Sequence, residues 1–317
     1  MGQRGKVLMT GATGFIGRAI AHHLHGSDRG LVFLGRNPEA IRRAFSFPCE
    51  AHAWDALKDE PPAEAFSRVT GVVHLAGEPI AAGRWTEDRK RRLTDSRVLG
   101  TRNLLSGIAK CGPGGPKVLV SSSAIGFYGD RGDEVLTEES RPGAGFLSEL
   151  CQAWETEVLG SKIPGLRTVC IRTGIVLGQE GGALQKMLPP FRLGLGGPVA
   201  GGRQWMSWIT LTDLVSLFDF ALSNPTLTGP VNGTAPEPVR NADFTRALGH
   251  VLHRPAFMPV PGTLLRLGMG ESASLVTEGQ KVLPAKALKA GFKFRFGEVE
   301  AGLRQALAAR PSLTSSA

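Results

Sequence analysis

The stretch that most limits what this 317-residue chain can become is TGATGFIG, Thr10 to Gly17. It follows the apolar run Val7-Leu8-Met9 and opens the helix-patterned GFIGRAIAHHLHG. Glycines at 11, 14 and 17 in a strand-to-helix turn permit a tight reversal, close approach of backbone to a pyrophosphate, and close helix packing. The helix start adds N–H donors and the positive end of its dipole. A glycine trio by itself is weak, but at the head of an alternating strand and helix pattern it is strong.

That alternation continues. KVLMT and its helix are followed by LVFLG and a helix, GVVHLAG and a helix from Thr86 to Cys111, KVLVSSSA and a helix near Ser148 to Leu159, then RTVCIRTGIVLG. The pattern predicts an α/β fold with a parallel sheet covered by helices on both faces. The helix from Thr86 carries Val98, Thr101, Leu104, Leu105 and Ile108 on one side and stops at Gly112-Pro113. Next, GGALQKMLPPFRLGLGGPVAGGRQW is glycine-rich and ends near Arg203 and Trp205, a composition suited to a lid; Arg192 and Arg203 are candidates for a phosphate or carboxylate, or are solvated surface arginines. Trp208 to Leu214 returns to the first unit, and the segment from Asn241 reads as helical, closing with an amphipathic helix around Glu298 to Leu307. The expected division is a nucleotide-binding domain of 1–178 and 206–235, a substrate domain or lid of 179–205 and 236–310, and a polar tail of 311–317.

The length and apolar content suit a globular enzyme with a large core. Cys49, Cys111, Cys151 and Cys170 form no CxxC and no metal-like cluster, and the chain opens on a strand pattern without a signal peptide, so reducing cytoplasm is expected. No apolar run is long enough to span a bilayer. The formal charge is +9, and RWTEDRKRRLTDSRVLGTR sets seven basic residues against three acids. Without interleaved aromatics or a nucleic-acid module, this reads as a solvated helix face rather than a nucleic-acid site. A basic field also draws phosphorylated small molecules.

The second strand selects the dinucleotide. An NAD site usually ends that strand with an acid that holds the ribose diol; here Gly35 stands there and Arg36 follows. A missing carboxylate removes repulsion and a guanidinium grips a 2′-phosphate, so NADP (NADPH) is expected.

TGATGFIG, HLAGE, DSRVLGTRNLL, VSSSAIGFYG, RTGIVLG, WITLTDLV and PVNGTAP arrive in the order found in extended short-chain dehydrogenase/reductases. FRLGLGGPVAGGRQWMSWI and EGQKVLPAKALKAGFKF are similar to signatures of that superfamily's epimerase-like branch, the "epimerase family proteins". The resemblance covers Lys6 to Leu307. It implies a Rossmann-like, doubly wound parallel sheet with a smaller, mostly helical C-terminal substrate domain, a bound NADP and a small-molecule substrate. A homodimer through sheet-flanking helices is a further family-level expectation.

Carried over by position, the resemblance puts Gly11, Thr13, Gly14, Phe15, Ile16 and Gly17 at the pyrophosphate, and Gly35 and Arg36 at the ribose phosphate. Leu75, Ala76 and Gly77 become backbone lining. Asp55 meets the adenine edge or merely begins a turn. Arg97 reaches the cofactor phosphate or ribose from an inward helix face, and Ser121 and Arg172 complete the cofactor set.

The catalytic set departs from the superfamily, which pairs a tyrosine with a lysine four residues on. With Glu155 as the anchor, Leu147 and Cys151 occupy those positions, and a shift by one gives Phe146 and Leu150. Ser123 matches the substrate-orienting serine. Tyr128, the sole tyrosine, and Glu78 at the cleft mouth are the substitute candidates. Against these stand a packed ring with a hydrogen-bonded hydroxyl for Tyr128, a loop carboxylate for Glu78, and a small buried hydrophobe for Cys151. The histidines show no metal spacing, and no GxSxG elbow supports a serine nucleophile. Two functions follow: an NADP-dependent oxidoreductase or epimerase-like enzyme acting on an unknown small carbonyl or hydroxyl, possible nucleotide sugars included, or a catalytically silent NADP-binding sensor or partner-binding protein.

Overall fold

A computed structural model describes residues 4–308; the expected polar tail of 311–317 lies outside them. Seven strands form one parallel sheet: β1 (Arg4–Thr10), β2 (Arg29–Gly35), β3 (Glu50–Ala53), β4 (Val69–His74), β5 (Val118–Ala124), β6 (Arg167–Thr173) and β7 (Gly229–Gly233). Their spatial order is β7-β6-β5-β4-β1-β2-β3. The order reverses beside β1, so a crevice opens at the carboxyl ends of β1 and its neighbours.

Alternation along each strand sends successive side chains to opposite faces, and both faces are buried. Val7, Met9, Phe33, Val73, Val120 and Ile171 pack on one side with Ile20 and Leu24 of α1 (Phe15–Gly26), Ile41 of α2 (Pro38–Arg43), and Leu214 and Phe218 of the helix Leu211–Ser223. Leu8, Val32, Val72, Leu119 and Cys170 pack on the other with Leu104 and Ile108 of α3 (Glu87–Lys110) and Trp154 and Val158 of α4 (Phe146–Leu159). Each fully buried aliphatic side chain contributes about 1.5–3 kcal/mol, so this double-sided burial sets the doubly wound α/β architecture.

Helix boundaries follow the local chemistry. Thr86 caps α3 by accepting the Arg89 N–H, and Glu87 and Asp88 sit at the positive end of its dipole. Asn37 caps α2 through the Ala40 N–H, with Pro38 at the first helical position.

RTVCIRTGIVLG is not one strand. Gly174 interrupts it, its N–H going to the Gly233 carbonyl, and Ile175–Leu177 leaves the main sheet to pair with Trp208–Thr210. The second half has its own core, in which Leu184, Phe191, Trp208, Phe244, Leu248 and Leu303 come together. It meets the first half at Phe15, whose ring fills the space where side chains at Gly178 and Gly181 would stand, 2.6 Å or less from those positions.

Candidate functional site

The crevice at the sheet switch point contains a cavity of about 540 Å³. Its walls come from the turn after β1 (Gly11, Thr13, Gly14), the end of β2 (Gly35, Arg36), the stretch past β3 (Asp55), and the loop after β4 (Leu75, Ala76, Gly77, Glu78). Ten of the residues expected at the site thus surround one space. Phe15, Ile16 and Gly17 form the first turn of α1 directly behind it. Asn37, Trp54 and Ser96 also line it and were not anticipated; the Asn37-Pro38 helix-start signal was present in the sequence.

The glycines are required by space. Gly11 has φ of +67°, and a Cβ on it would lie 2.8 Å from the Leu75 carbonyl carbon. A Cβ on Gly17 would collide with the Gly11 carbonyl oxygen, so α1 approaches the turn as closely as a backbone can. Gly14 offers α1 no capping side chain, and the first turn carries no acid. Its N–H donors and dipole therefore remain available to an anion.

At the far end of the cavity, Arg36 is exposed and makes no hydrogen bond or ion pair among the described residues. Its charge acts on Asp55, which lies two residues beyond β3. Asp55 does two things at once: it lines the cavity, and its Oδ1 accepts the Leu57 N–H at 3.2 Å in an Asx turn while Oδ2 pairs with Lys58. The Leu57 N–H first, then Lys58 and Arg36, hold its carboxyl below the usual range.

A buried polar chain stands behind the cavity floor. Thr10 Oγ1 accepts the N–H groups of Leu75 and Ala76, both at 3.1 Å, and lies 2.7 Å from His74 Nδ1. His74 Nε2 lies 3.1 Å from Thr101 Oγ1, which also accepts from the Trp154 indole. Burial, with the Arg97 charge adding, pushes the imidazole down to about 4.

Ser123, Tyr128 and Arg172 are brought together, but away from the cavity. Arg172 clasps Glu155 through Nε at 2.8 Å and Nη2 at 2.7 Å, and the Ser123 hydroxyl donates to Glu155 Oε1 at 2.6 Å. Tyr128 accepts from Arg172 Nη1 at 2.9 Å and donates to Asn232 Oδ1 at 2.7 Å. Asn232 passes the network on to the Leu283 carbonyl and accepts nothing from solvent, being fully buried. Burial opposes the Arg172 charge, but the Glu155 carboxylate outweighs it and holds the guanidinium above its ordinary range. The guanidinium also lies over the Phe127 ring at 3.5 Å.

This geometry corrects several expectations. Tyr128 has no accessible surface and packs with Phe127, Leu136, Cys151 and Val282, so it does not line the cleft. Ser123 and Arg172 are 3% exposed, and both bond to Glu155. Ser121 is buried and donates to the Ser122 carbonyl. For Ser123 and Tyr128 the cause is the Arg172–Glu155 pair: once buried, such a pair must have its remaining donors and acceptors satisfied, and these two hydroxyls help to satisfy it.

Arg97 lies against the cavity rather than in it. Its guanidinium packs under Gly77, donates to the Glu78 and Leu93 carbonyls at 3.0 Å, and faces the Trp154 ring. Glu78 stands at the rim with its carboxylate 2.6 Å from Arg89. Of the two positions expected for the tyrosine and lysine, the first has apolar surroundings, whereas Cys151 at the second also lies beside Ser123 and Glu155. Leu147 and Phe146 join Ile80, Trp85, Leu93 and Leu150 in one cluster, and burial pushes the Cys151 thiol up to about 12. In the second half, Arg192 is exposed, and Arg203 borders a separate cavity of about 550 Å³ with Asp130, Asp133, Trp205 and Arg240. Among the described residues, no helix is long and apolar enough to cross a membrane.

Comparison with known proteins gives this cleft a lineage. The profile of the NAD dependent epimerase/dehydratase family matches residues 7–232, and a domain of unknown function, DUF1731, matches residues 260–306. The chain is 39% identical over 300 residues to the epimerase family protein SDR39U1 homolog, chloroplastic, of Arabidopsis thaliana, covering 94% of this chain and 85% of that protein. It is 38% identical to the epimerase family protein ML0860 of Mycobacterium leprae over 96% of both chains. The crystal structure of human epimerase family protein SDR39U1 with NADPH superposes with a TM-score of 0.84 at 33% identity, over 95% of this chain and 98% of that one. From the glycine turn through β7, this chain belongs to the NAD dependent epimerase/dehydratase family.

Proposed function

We propose that the chain binds NADPH along the switch-point cleft and uses it in an oxidoreductase or epimerase-like reaction on a small carbonyl or hydroxyl substrate in the cytoplasm. The observation that carries this reading is the end of β2, where Gly35 and an uncommitted Arg36 face the cavity in place of a carboxylate. The cradle fits the group: the cavity beside the side-chain-free Gly11–Gly14 turn and the free start of α1 suit a pyrophosphate, and Arg36 suits a 2′-phosphate. That a human relative was crystallised with NADPH supports it.

Within this reading, residues 1–178 and 206–235 hold the dinucleotide, while 179–205 and 236–310 shape the substrate space. The bound dinucleotide supplies a hydride. Gly11 and Gly14 would approach the pyrophosphate, Arg36 would grip the ribose phosphate, and Asp55 would face the adenine. Glu78, ion-paired with Arg89, lines the cleft and in this reading would accept a proton from a substrate hydroxyl.

The second reading, an NADP-binding sensor without chemistry, is favoured by one observation: Tyr128 and Ser123 have both hydroxyls engaged in the buried Arg172–Glu155 network.

The test has two stages. Titration with NADPH and NADH should show preference for NADPH, and Arg36→Glu should weaken NADPH at least about tenfold while leaving or improving NADH. If both cofactors bind the variant as they bind the native chain, the phosphate assignment is wrong. NADPH-loaded protein is then offered a broad carbonyl panel; turnover supports the enzyme, and tight binding without turnover selects the sensor.

A further inference from the structure

His74 is a fully buried titratable group to which the function above gives no role. It pairs directly with Thr10 across β1 and β4, at the carboxyl ends of both strands. A hydroxyl has one proton and two lone pairs. The lone pairs of Thr10 Oγ1 receive the N–H groups of Leu75 and Ala76, which leaves its proton for His74 Nδ1 at 2.7 Å. Nδ1 therefore carries no proton, the ring is the Nε2–H tautomer, and Nε2–H donates to Thr101 Oγ1. The charged group acting on the ring is the Arg97 guanidinium of α3, which opposes a second proton.

Leu75 and Ala76 form one wall of the cleft, and Gly11, next to Thr10, packs against Leu75 to form the other. The Thr10 hydroxyl thus ties the two walls together, alongside the Leu75 N–H bond to the Thr10 carbonyl. We propose that His74 is a positioning residue for dinucleotide binding: its Nδ1 acceptor fixes the Thr10 hydroxyl, which holds the Leu75–Ala76 backbone at the distance the ligand requires. This rests on the reading that NADPH occupies this cleft. A second proton on Nδ1 would leave Oγ1 facing donors on three sides with no acceptor for its own proton. One donor must then let go. Leu75 N–H has the Thr10 carbonyl as a second acceptor at 3.3 Å, so Ala76 is the group released.

The experiment measures NADPH affinity by cofactor fluorescence for the full chain, Thr10→Val, His74→Leu and His74→Asn between pH 7 and 4.5. Thr10→Val and His74→Leu should raise Kd about tenfold. His74→Asn, whose Oδ1 can stand near the Nδ1 position, should stay within about threefold at pH 7. As pH falls, native Kd should rise relative to that of His74→Asn, and taking the ratio cancels the titration of the ligand's own 2′-phosphate. A native chain that fails to bind NADPH overturns the proposed function. A native chain that binds, with Thr10→Val and His74→Leu binding equally well, overturns this inference and leaves the function standing. If His74→Leu does not fold, Thr10→Val and ¹⁵N NMR of the native imidazole decide, and a proton found on Nδ1 at pH 7 overturns the proposal.

Discussion

Tyr128→Phe separates a structural phenol from a chemical one. The substitution keeps the ring and its edge-on contact with Phe127, 5.3 Å between centroids, and removes only the oxygen. That oxygen donates to Asn232 at 2.7 Å and accepts from Arg172 at 2.9 Å inside a site without solvent access. Its loss orphans one guanidinium N–H and one amide carbonyl. Each buried orphan costs about 1–3 kcal/mol, and the charged partner lies toward the upper end, so the variant should lose about 2–4 kcal/mol of stability. Burial, partly offset by Arg172, pushes the phenol up to about 12, so it remains protonated and donating throughout the ordinary pH range. Urea unfolding followed by circular dichroism should show a lower midpoint with an unchanged slope, and NADPH affinity should stay within about twofold. A stability loss below about 0.5 kcal/mol would refute the buried-network account. So would a variant of native stability that loses turnover, because that pattern belongs to a phenol in the cleft.

Acid should unfold the chain partly through His74. Its folded value of about 4 lies below the free 6.5, so the unfolded chain binds the proton first, and stability present above pH 6.5 is lost as pH falls toward 4, by up to about 3 kcal/mol. A series of urea midpoints should show this slope in the native chain and a flatter one in His74→Asn; equal slopes would assign it to other groups. Gly17→Val places a branched side chain against the Gly11 carbonyl oxygen and should push α1 off the turn. Thermal melting and NADPH titration should show a lower Tm and affinity reduced at least about tenfold; retention of both would mean that this approach is not tight.

The features legible in the sequence are those carried by local pattern. The glycine turn, the strand and helix alternation and the Gly35-Arg36 pair each occupy a few adjacent residues, and backbone sterics and periodicity act at that range. Asp55 shows why two readings stayed open: an Asx turn and a cavity-lining carboxylate use different oxygen lone pairs of one residue, and it does both. The Gly174 break was visible as a glycine inside a long apolar run but lacked a signal for where the second piece would pair. Tyr128 was misplaced for a different reason. Its partners are Arg172, 44 residues on, and Asn232, 104 residues on, and a buried network assembled over such separations leaves no periodic trace. Nothing adjacent to Ser123 announces that its hydroxyl is committed to Glu155, since the two are 32 residues apart.

The contact of Phe15 with Gly178 and Gly181 limits how this chain could be recombined. The aromatic ring begins α1 just after the dinucleotide turn, and the vacancies it fills lie at the junction, where the first unit ends at Gly178 and the second carries Gly181. A chimera that joined this second half to a different nucleotide-binding half with a smaller residue at position 15 would leave a void at the seam. The opposite graft, bringing alanine or larger to 178 or 181, would collide with the ring. The two halves are matched like a key and its ward, and exchange between relatives should succeed only when position 15 and both glycines travel together.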